Sequence, residues 1–199
     1  INSPACHDDR EPILRERVVH ELSETLPPET IVAGDAGNNL AALTRFFKTK
    51  GPGTYFSPLG IAGMSWSLPA ALTAKLLYPD RPCLAVCSDG FAMQNHVLAS
   101  ALQYNAPAIF VIQDDYRLGM VRERQGDRAF ATDYLPTDWA AVAEAYGCRG
   151  VRVERVRDLQ PSLNRALRND VPTVIDVMID RDAKLFTNCL LYTSDAADE

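Results

Sequence analysis

Cys83-Leu84-Ala85-Val86-Cys87-Ser88-Asp89-Gly90-Phe91 is the stretch on which the reading of this chain turns. Residues 83–87 are apolar without alternation, the pattern of a strand buried on both faces. An acid and a glycine stand at its C-terminal end. The glycine lets backbone approach closely, and a helix starting there offers free N–H groups and a positive dipole end, which suit a phosphate. The acid can hold a divalent cation that bridges to phosphate oxygens. Taken alone, an Asp-Gly after a strand serves equally well as a plain turn.

Downstream, residues 94–104 read as a helix and 108–112 as a second buried strand, ending at Gln113-Asp114-Asp115. One strand, one helix and one strand make a crossover unit, and adjacent parallel strands set Asp89 beside Asp115. Two carboxylates with a carbonyl, water and phosphate oxygens suit an octahedral Mg2+. The bland reading of 113–117 is a charged surface loop.

Upstream, 12–26 reads as a helix closed by Pro27-Pro28, 30–33 as a strand, 34–39 as a tight turn, and 40–47 as a helix. Residues 48–60 read as loop. Residues 64–77 fit a closely packed helix, with Pro69 in its first turn if it starts late. Beyond the second strand, 118–123 reads as a short helix and 125–136 as loop. Asp138 caps a helix over 139–146 that Gly147 ends. A strand over 150–153, a helix over 158–169 with Asp158 as cap, and a strand over 173–179 complete the chain. No internal repeat is visible. Short continuous apolar strands alternating with helices predict an α/β fold: a doubly wound, mostly parallel sheet with helices on both faces. Such sheets bind ligands beyond the carboxyl ends of their strands, where loops 34–39, 88–91 and 113–117 all fall.

The 199 residues are 47% hydrophobic and 23% charged, which suits one domain with a full core. A net charge of −6 without a basic stripe speaks against nucleic acid as the main ligand. An acidic domain must bind an anion locally, through amides and a metal. Apolar runs are too short to span a membrane, and residues 1–11 lack an apolar signal core, so a cytoplasmic location is expected. The five cysteines are scattered and odd in number, which is no disulfide framework; Cys83 and Cys87 read as small buried residues on one side of a strand. The three histidines form no metal pattern.

From Gly34 to Arg122 the chain resembles the thiamine diphosphate (TPP)-binding domain of the acetolactate synthase, pyruvate oxidase and pyruvate decarboxylase superfamily. The phrases that carry the resemblance are Ser88-Asp89-Gly90, Asp114-Asp115, Leu68-Pro69-Ala70-Ala71, Tyr78-Pro79-Asp80-Arg81-Pro82, Asn105-Ala106-Pro107 and Leu118-Gly119-Met120-Val121. It continues more loosely to about Asp182. It implies Mg2+ ligands at Asp89, Asp115 and the carbonyl of Arg117. It implies diphosphate contacts at Asn38 and Asn39, with Gly90, Phe91, Leu118 and Met120 completing the cofactor site. Ala62, Gly63 and Met64 match the segment that grips the aminopyrimidine ring. There the Ala62 carbonyl accepts from the 4′-amino group and Met64 bends the cofactor. Two departures stand out: Ser88 replaces a glycine, and Asp114-Asp115 replace two asparagines. The second adds a negative charge to the metal shell, which opposes the diphosphate.

The resemblance further implies a pyrimidine-binding domain carrying a catalytic glutamate, a middle domain that holds FAD in some members, a homodimer or homotetramer, and a 2-oxo acid substrate such as pyruvate. No residue of this chain would then be the catalytic acid or base. The expected organisation is a linker or preceding region over 1–11, the TPP domain over 12–182, and a disordered or artefactual tail over 183–199, all within a fragment of a longer chain. Acetolactate synthase-like carboligation after decarboxylation is the expected activity. Simple decarboxylation or oxidation, a non-catalytic flavodoxin-like nucleotide module and a decayed homologue are the alternatives.

Overall fold

The computed structural model describes residues 3–184. The expected disordered or artefactual tail therefore lies, apart from residues 183 and 184, outside the described residues, as does Cys189.

Six strands form one parallel sheet: β1 (Ile31–Gly34), β2 (Tyr55–Phe56), β3 (Cys83–Cys87), β4 (Ile109–Asp114), β5 (Arg149–Val153) and β6 (Thr173–Met178). Their spatial order is β2-β1-β3-β4-β6-β5. The loops leaving β1 and β3 run to opposite sides, so the switch point of the sheet lies between those two neighbours. All four residues of β1, all five of β3 and all six of β4 are buried, as continuous apolar runs require of a sheet covered on both faces.

The helices are α1 (Arg15–Thr25), α2 (Asn38–Phe46), α3 (Ser67–Leu77), α4 (Val97–Gln103), α5 (Gly119–Gln125), α6 (Trp139–Tyr146) and α7 (Val156–Ala166). Alternate strand residues feed two cores. Val32, Leu84, Val86, Val111 and Ile175 pack under α1, α2 and α7 with Val18, Leu22, Leu43 and Leu159. Ala33, Ala85, Cys87, Phe110 and Ile112 pack under α3, α4 and α6 with Leu68, Leu98 and Ala143. Each fully buried Leu, Ile or Phe contributes about 1.5–3 kcal/mol of transfer free energy.

Several elements differ from expectation for definable reasons. The region 48–60 contains β2, an edge strand too short to show in a hydropathy pattern. Helix α3 starts at Ser67, which puts Pro69 in its first turn, where its missing N–H costs nothing. The stretch after Asp89 is a 3-10 turn over Asp89–Met93, and α4 begins only at Val97. Asp158 is not the cap of α7: the cap is Arg155, and Asp158 lies in the first turn, accepting from Arg155 Nε at 3.0 Å. Asp138 does cap α6, accepting from the Ala141 amide at 2.9 Å, and Gly147 ends that helix in the left-handed region at φ 95°. A further 3-10 turn, Pro4–His7, buries Cys6 against α1 in the first core. Cys83 and Cys87 are buried and free. His7 and His20 meet edge-on, their ring centroids 4.7 Å apart.

Candidate cofactor site

The ends of β1, β3 and β4 bring together the loops that carry the chemistry. Because β3 pairs with β4, with Cys87 opposite Ile112, the turns that follow both strands emerge side by side. Asp89 Oδ2 accepts from the Asp115 amide at 3.3 Å. Both carboxyls are buried, 4% and 2% exposed. Desolvation pushes Asp89 up to about 7, helped by the neighbouring Asp114. Desolvation also raises Asp115 to about 7, against the opposing pull of Arg15.

Strand alternation sends Asp114 and Asp115 to opposite faces. Asp115 turns toward α1, where Arg15 Nη2 pairs with its Oδ2. Asp114 turns toward β6, beside Asp176, and burial raises it to about 6 and Asp176 to about 7.

The backbone of Arg117 meets the strand-like segment 132–134 only through its flanking residues. Leu118 N donates to Thr132 O at 2.8 Å and Tyr134 N to Tyr116 O at 2.7 Å. This makes Arg117 and Asp133 a pair whose flanking residues do the bonding, so the N–H and C=O of Arg117 point away from 132–134. Its guanidinium is engaged outside, with Asp133 at 3.0 Å and Asp182 at 3.1 Å. Two hard carboxylates and a carbonyl are the donor set a hard divalent cation takes. Among the described residues no three His, Cys, Asp or Glu side chains could hold a metal unaided. A cation here must draw its remaining ligands from backbone, water or a bound anion.

A pocket of 170 Å³ opens beside these groups, lined by Arg15, Asn38, Asn39, Met64, Asp115 and Leu118 among others. Gly37 to Asn39 and Gly119 to Met120, the starts of α2 and α5, also border it. Asn38 donates Nδ2 to Glu123 at 2.9 Å, and Asn39 donates to the Asp35 and Val86 carbonyls at 3.2 and 3.3 Å. The Oδ1 atoms of both asparagines are buried without a partner. An unpaired buried acceptor costs about 1–3 kcal/mol, so both call for a donor or a cation.

Met64 lies over Gly90, where an added Cβ would stand 3.4 Å from the Met64 Cβ. The contact is held from two sides. Asp35, 1% exposed, accepts from the Ser65 amide at 2.7 Å, and Ser65 Oγ donates to the Gly90 carbonyl. Ser65 takes φ 67°, a left-handed conformation that costs a non-glycine residue energy and persists here because the surroundings impose it. The other predicted positions divide. Leu118 and Met120 line the pocket, whereas Ala62, Gly63, Asp89 and Gly90 do not; Asp89 lies behind it, against the Asp115 amide. Phe91 faces the second core, edge-on to Trp139 with centroids 5.4 Å apart, so only its backbone can serve the site.

Sequence reasoning missed Arg15, Asp35, Ser65 and Asp176. A signal existed for Arg15: a basic residue at the first position of a helix runs against the macrodipole and calls for an acidic partner. Asp35 follows directly on β1 and Asp176 lies within the apolar run of β6, and the partners of both are remote in sequence.

The all-parallel sheet places buried acids and a 170 Å³ pocket at its switch point, where α/β domains of this architecture take their cofactors. Residues 35–177 match the family described as thiamine pyrophosphate enzyme, C-terminal TPP binding domain, and the chain belongs to that family. This sets aside the flavodoxin-like alternative. The chain is 33% identical over 178 residues to YdaP of Bacillus subtilis (strain 168), provisionally named as a thiamine pyrophosphate-containing protein; the match covers 87% of this chain and 31% of YdaP. It is 30% identical over 191 residues to an acetolactate synthase of Mycobacterium bovis, covering 90% of this chain and 31% of that protein. It is 30% identical over 169 residues to the 3D-(3,5/4)-trihydroxycyclohexane-1,2-dione hydrolase of Bacillus subtilis, covering 79% and 26%. The chain thus spans about a third or less of the length of these relatives. No helix among the described residues is long and apolar enough to cross a membrane.

Proposed function

We propose that this chain is the diphosphate-anchoring domain of a Mg2+- and TPP-dependent enzyme that decarboxylates a 2-oxo acid such as pyruvate and ligates the product to an acceptor, as an acetolactate synthase does. The observation that carries the reading is the Asp89 carboxyl against the Asp115 amide, 3.3 Å apart at the ends of adjacent strands.

In this reading Asp89, Asp115 and the Arg117 carbonyl hold the cation, and the start of α2 with Asn38 and Asn39 faces the diphosphate. Met64 presses on the cofactor from its seat over Gly90, with the Ala62 carbonyl accepting from the aminopyrimidine. Bound TPP supplies an electron sink for carbanion chemistry, and the chain orients it. The whole protein is a cytoplasmic homodimer or homotetramer, with the pyrimidine-binding domain, its glutamate and any FAD carried by the remainder of a longer chain. Family membership and the third of its relatives' length that the chain spans support this organisation.

Titrating TPP into the full-length protein with and without Mg2+ tests the assignment. Metal-dependent binding is expected, weakened by about 100-fold or more in Asp89→Ala. TPP binding that ignores both the metal and the substitution overturns it. Product analysis with pyruvate then separates ligation, which yields acetolactate, from decarboxylation or oxidation, which yield a two-carbon product.

A further inference from the structure

Arg15 stands out among the polar residues of the pocket, because its helix gives no local reason for it. It is the first residue of α1, where a cation opposes the helix dipole, and it is 5% exposed. Its burial is made tolerable by Asp115, one hundred positions away, and by the Ala183 carbonyl, which accepts from Nη1 at 3.4 Å. These two contacts use two of the five N–H donors of a guanidinium.

The remaining geometry concerns Gly119. A Cβ built there would lie 3.0 Å from Asp115 Oδ2, 3.3 Å from Arg15 Nη2 and 3.3 Å from Asn38 Nδ2. Groups from α1, α2 and the end of β4 thus converge on one point in the pocket lining, kept open by the missing side chain.

We infer that Arg15 is a cofactor-anchoring residue, which offsets the charge that Asp115 brings to the cation site and presents its guanidinium to the diphosphate from the α1 side. The inference rests on the proposed function above. Its basis is charge. A divalent cation held by one carboxylate and one neutral amide faces the diphosphate with a net positive charge. With a second carboxylate that charge is cancelled, and Arg15 restores it. A guanidinium is also suited to phosphate oxygens, because its planar fork can give two parallel hydrogen bonds.

The test is a cycle of Arg15→Gln, Asp115→Asn and the double variant in the full-length protein. The readouts are affinity for Mg2+–pyrophosphate, affinity for Mg2+–TPP, and the thermal midpoint without ligand. Arg15→Gln is expected to weaken pyrophosphate binding by about tenfold or more. The double variant is expected to bind at least about threefold more tightly than Arg15→Gln, because a neutral residue 115 needs no offsetting cation, yet to stay below wild type for want of the guanidinium contact. The double variant leaves no orphaned charge, so it remains informative if Arg15→Gln folds poorly. Arg15→Gln that lowers the midpoint but binds pyrophosphate like wild type shows a merely structural ion pair and overturns the inference. So does a double variant that binds no better than one with Asp115 intact. A wild-type protein that binds neither pyrophosphate nor TPP with Mg2+ overturns the enzyme reading, and this inference with it. Wild-type binding with unaffected variants sinks this inference alone.

Discussion

Asp114 and Asp115 are consecutive, chemically identical and almost wholly buried, yet the two sides of the sheet treat them differently. On the α1 side, Asp115 meets a buried guanidinium. On the α6 side, Asp114 meets two further acids, Asp89 and Asp176, and the nearest cation, Arg152, is 3.5 Å from Asp176 at the rim of the sheet. What else supports that side is dipolar: the Trp139 amide, at the start of α6, donates to Asp176 at 3.3 Å, and the Tyr116 amide donates to Asp114 at 3.0 Å. One face compensates buried charge with a cation. The other leans on main-chain N–H groups and on protons. Which way the pleat turns an acid sets the kind of partner it meets, while burial raises both, Asp114 to about 6 and Asp115 to about 7.

The largest blow to the α6 side is expected from Gly150→Ala. A Cβ there would fall 2.0 Å from the Ala140 carbonyl oxygen. The only relief is to push α6 away from β5, which also carries the Trp139 amide off Asp176. A loss of about 3 kcal/mol or more is expected in denaturant unfolding, and an unchanged midpoint would contradict the close packing.

A smaller effect sharpens the contrast. Burial raises Asp89, Asp115 and Asp176 to about 7 and Asp114 to about 6, whereas unfolded aspartates titrate near 3.9. Between those limits the folded, metal-free protein binds more protons than the unfolded chain. Stability is then complete at acid pH and falls as pH rises through about 6–7. The melting temperature of the metal-free protein is expected to drop by several degrees between about pH 5 and about pH 8. Asp114→Asn should shrink that drop, since the amide has no proton to lose. A midpoint that instead climbs toward neutral pH would show that the acids are paired better than described.

The smallest effect is expected from Asp138→Ala, which removes the side chain that holds the Ala141 amide. It should cost about 1 kcal/mol, read by chemical denaturation, and should leave Mg2+-dependent binding untouched. Loss of binding would mean that α6 supports the site more directly than its contact with Asp176 indicates.

The sheet was legible wherever burial is two-sided, because the apolar runs 83–87 and 109–112 are unbroken until Ser88 and Gln113, each just ahead of its acid. That same feature announced Asp89 and Asp115, whose convergence follows from a single crossover. β2 was not legible, since two residues carry no period. Asp158 misled because an acid in the first turn of a helix and an acid at its cap look alike in sequence; the dipole rewards both. Arg15 and Asp35 escaped notice because their partners, Asp115 and Ser65, are joined to them only by the closed fold. The direction of the Phe91 side chain was not legible for a related reason: it follows from the 3-10 turn after Asp89, which sets the ring against Trp139.

The two outer strands of the sheet also shape how the molecule behaves among its own kind. On one flank β2 offers only Tyr55 and Phe56, a rung too short for a foreign strand to register on. On the other, β5 carries Arg149, exposed, and Arg152 along its length. Brevity at one border and an exposed arginine at the other are devices by which open sheets resist edge-to-edge pairing with a second sheet.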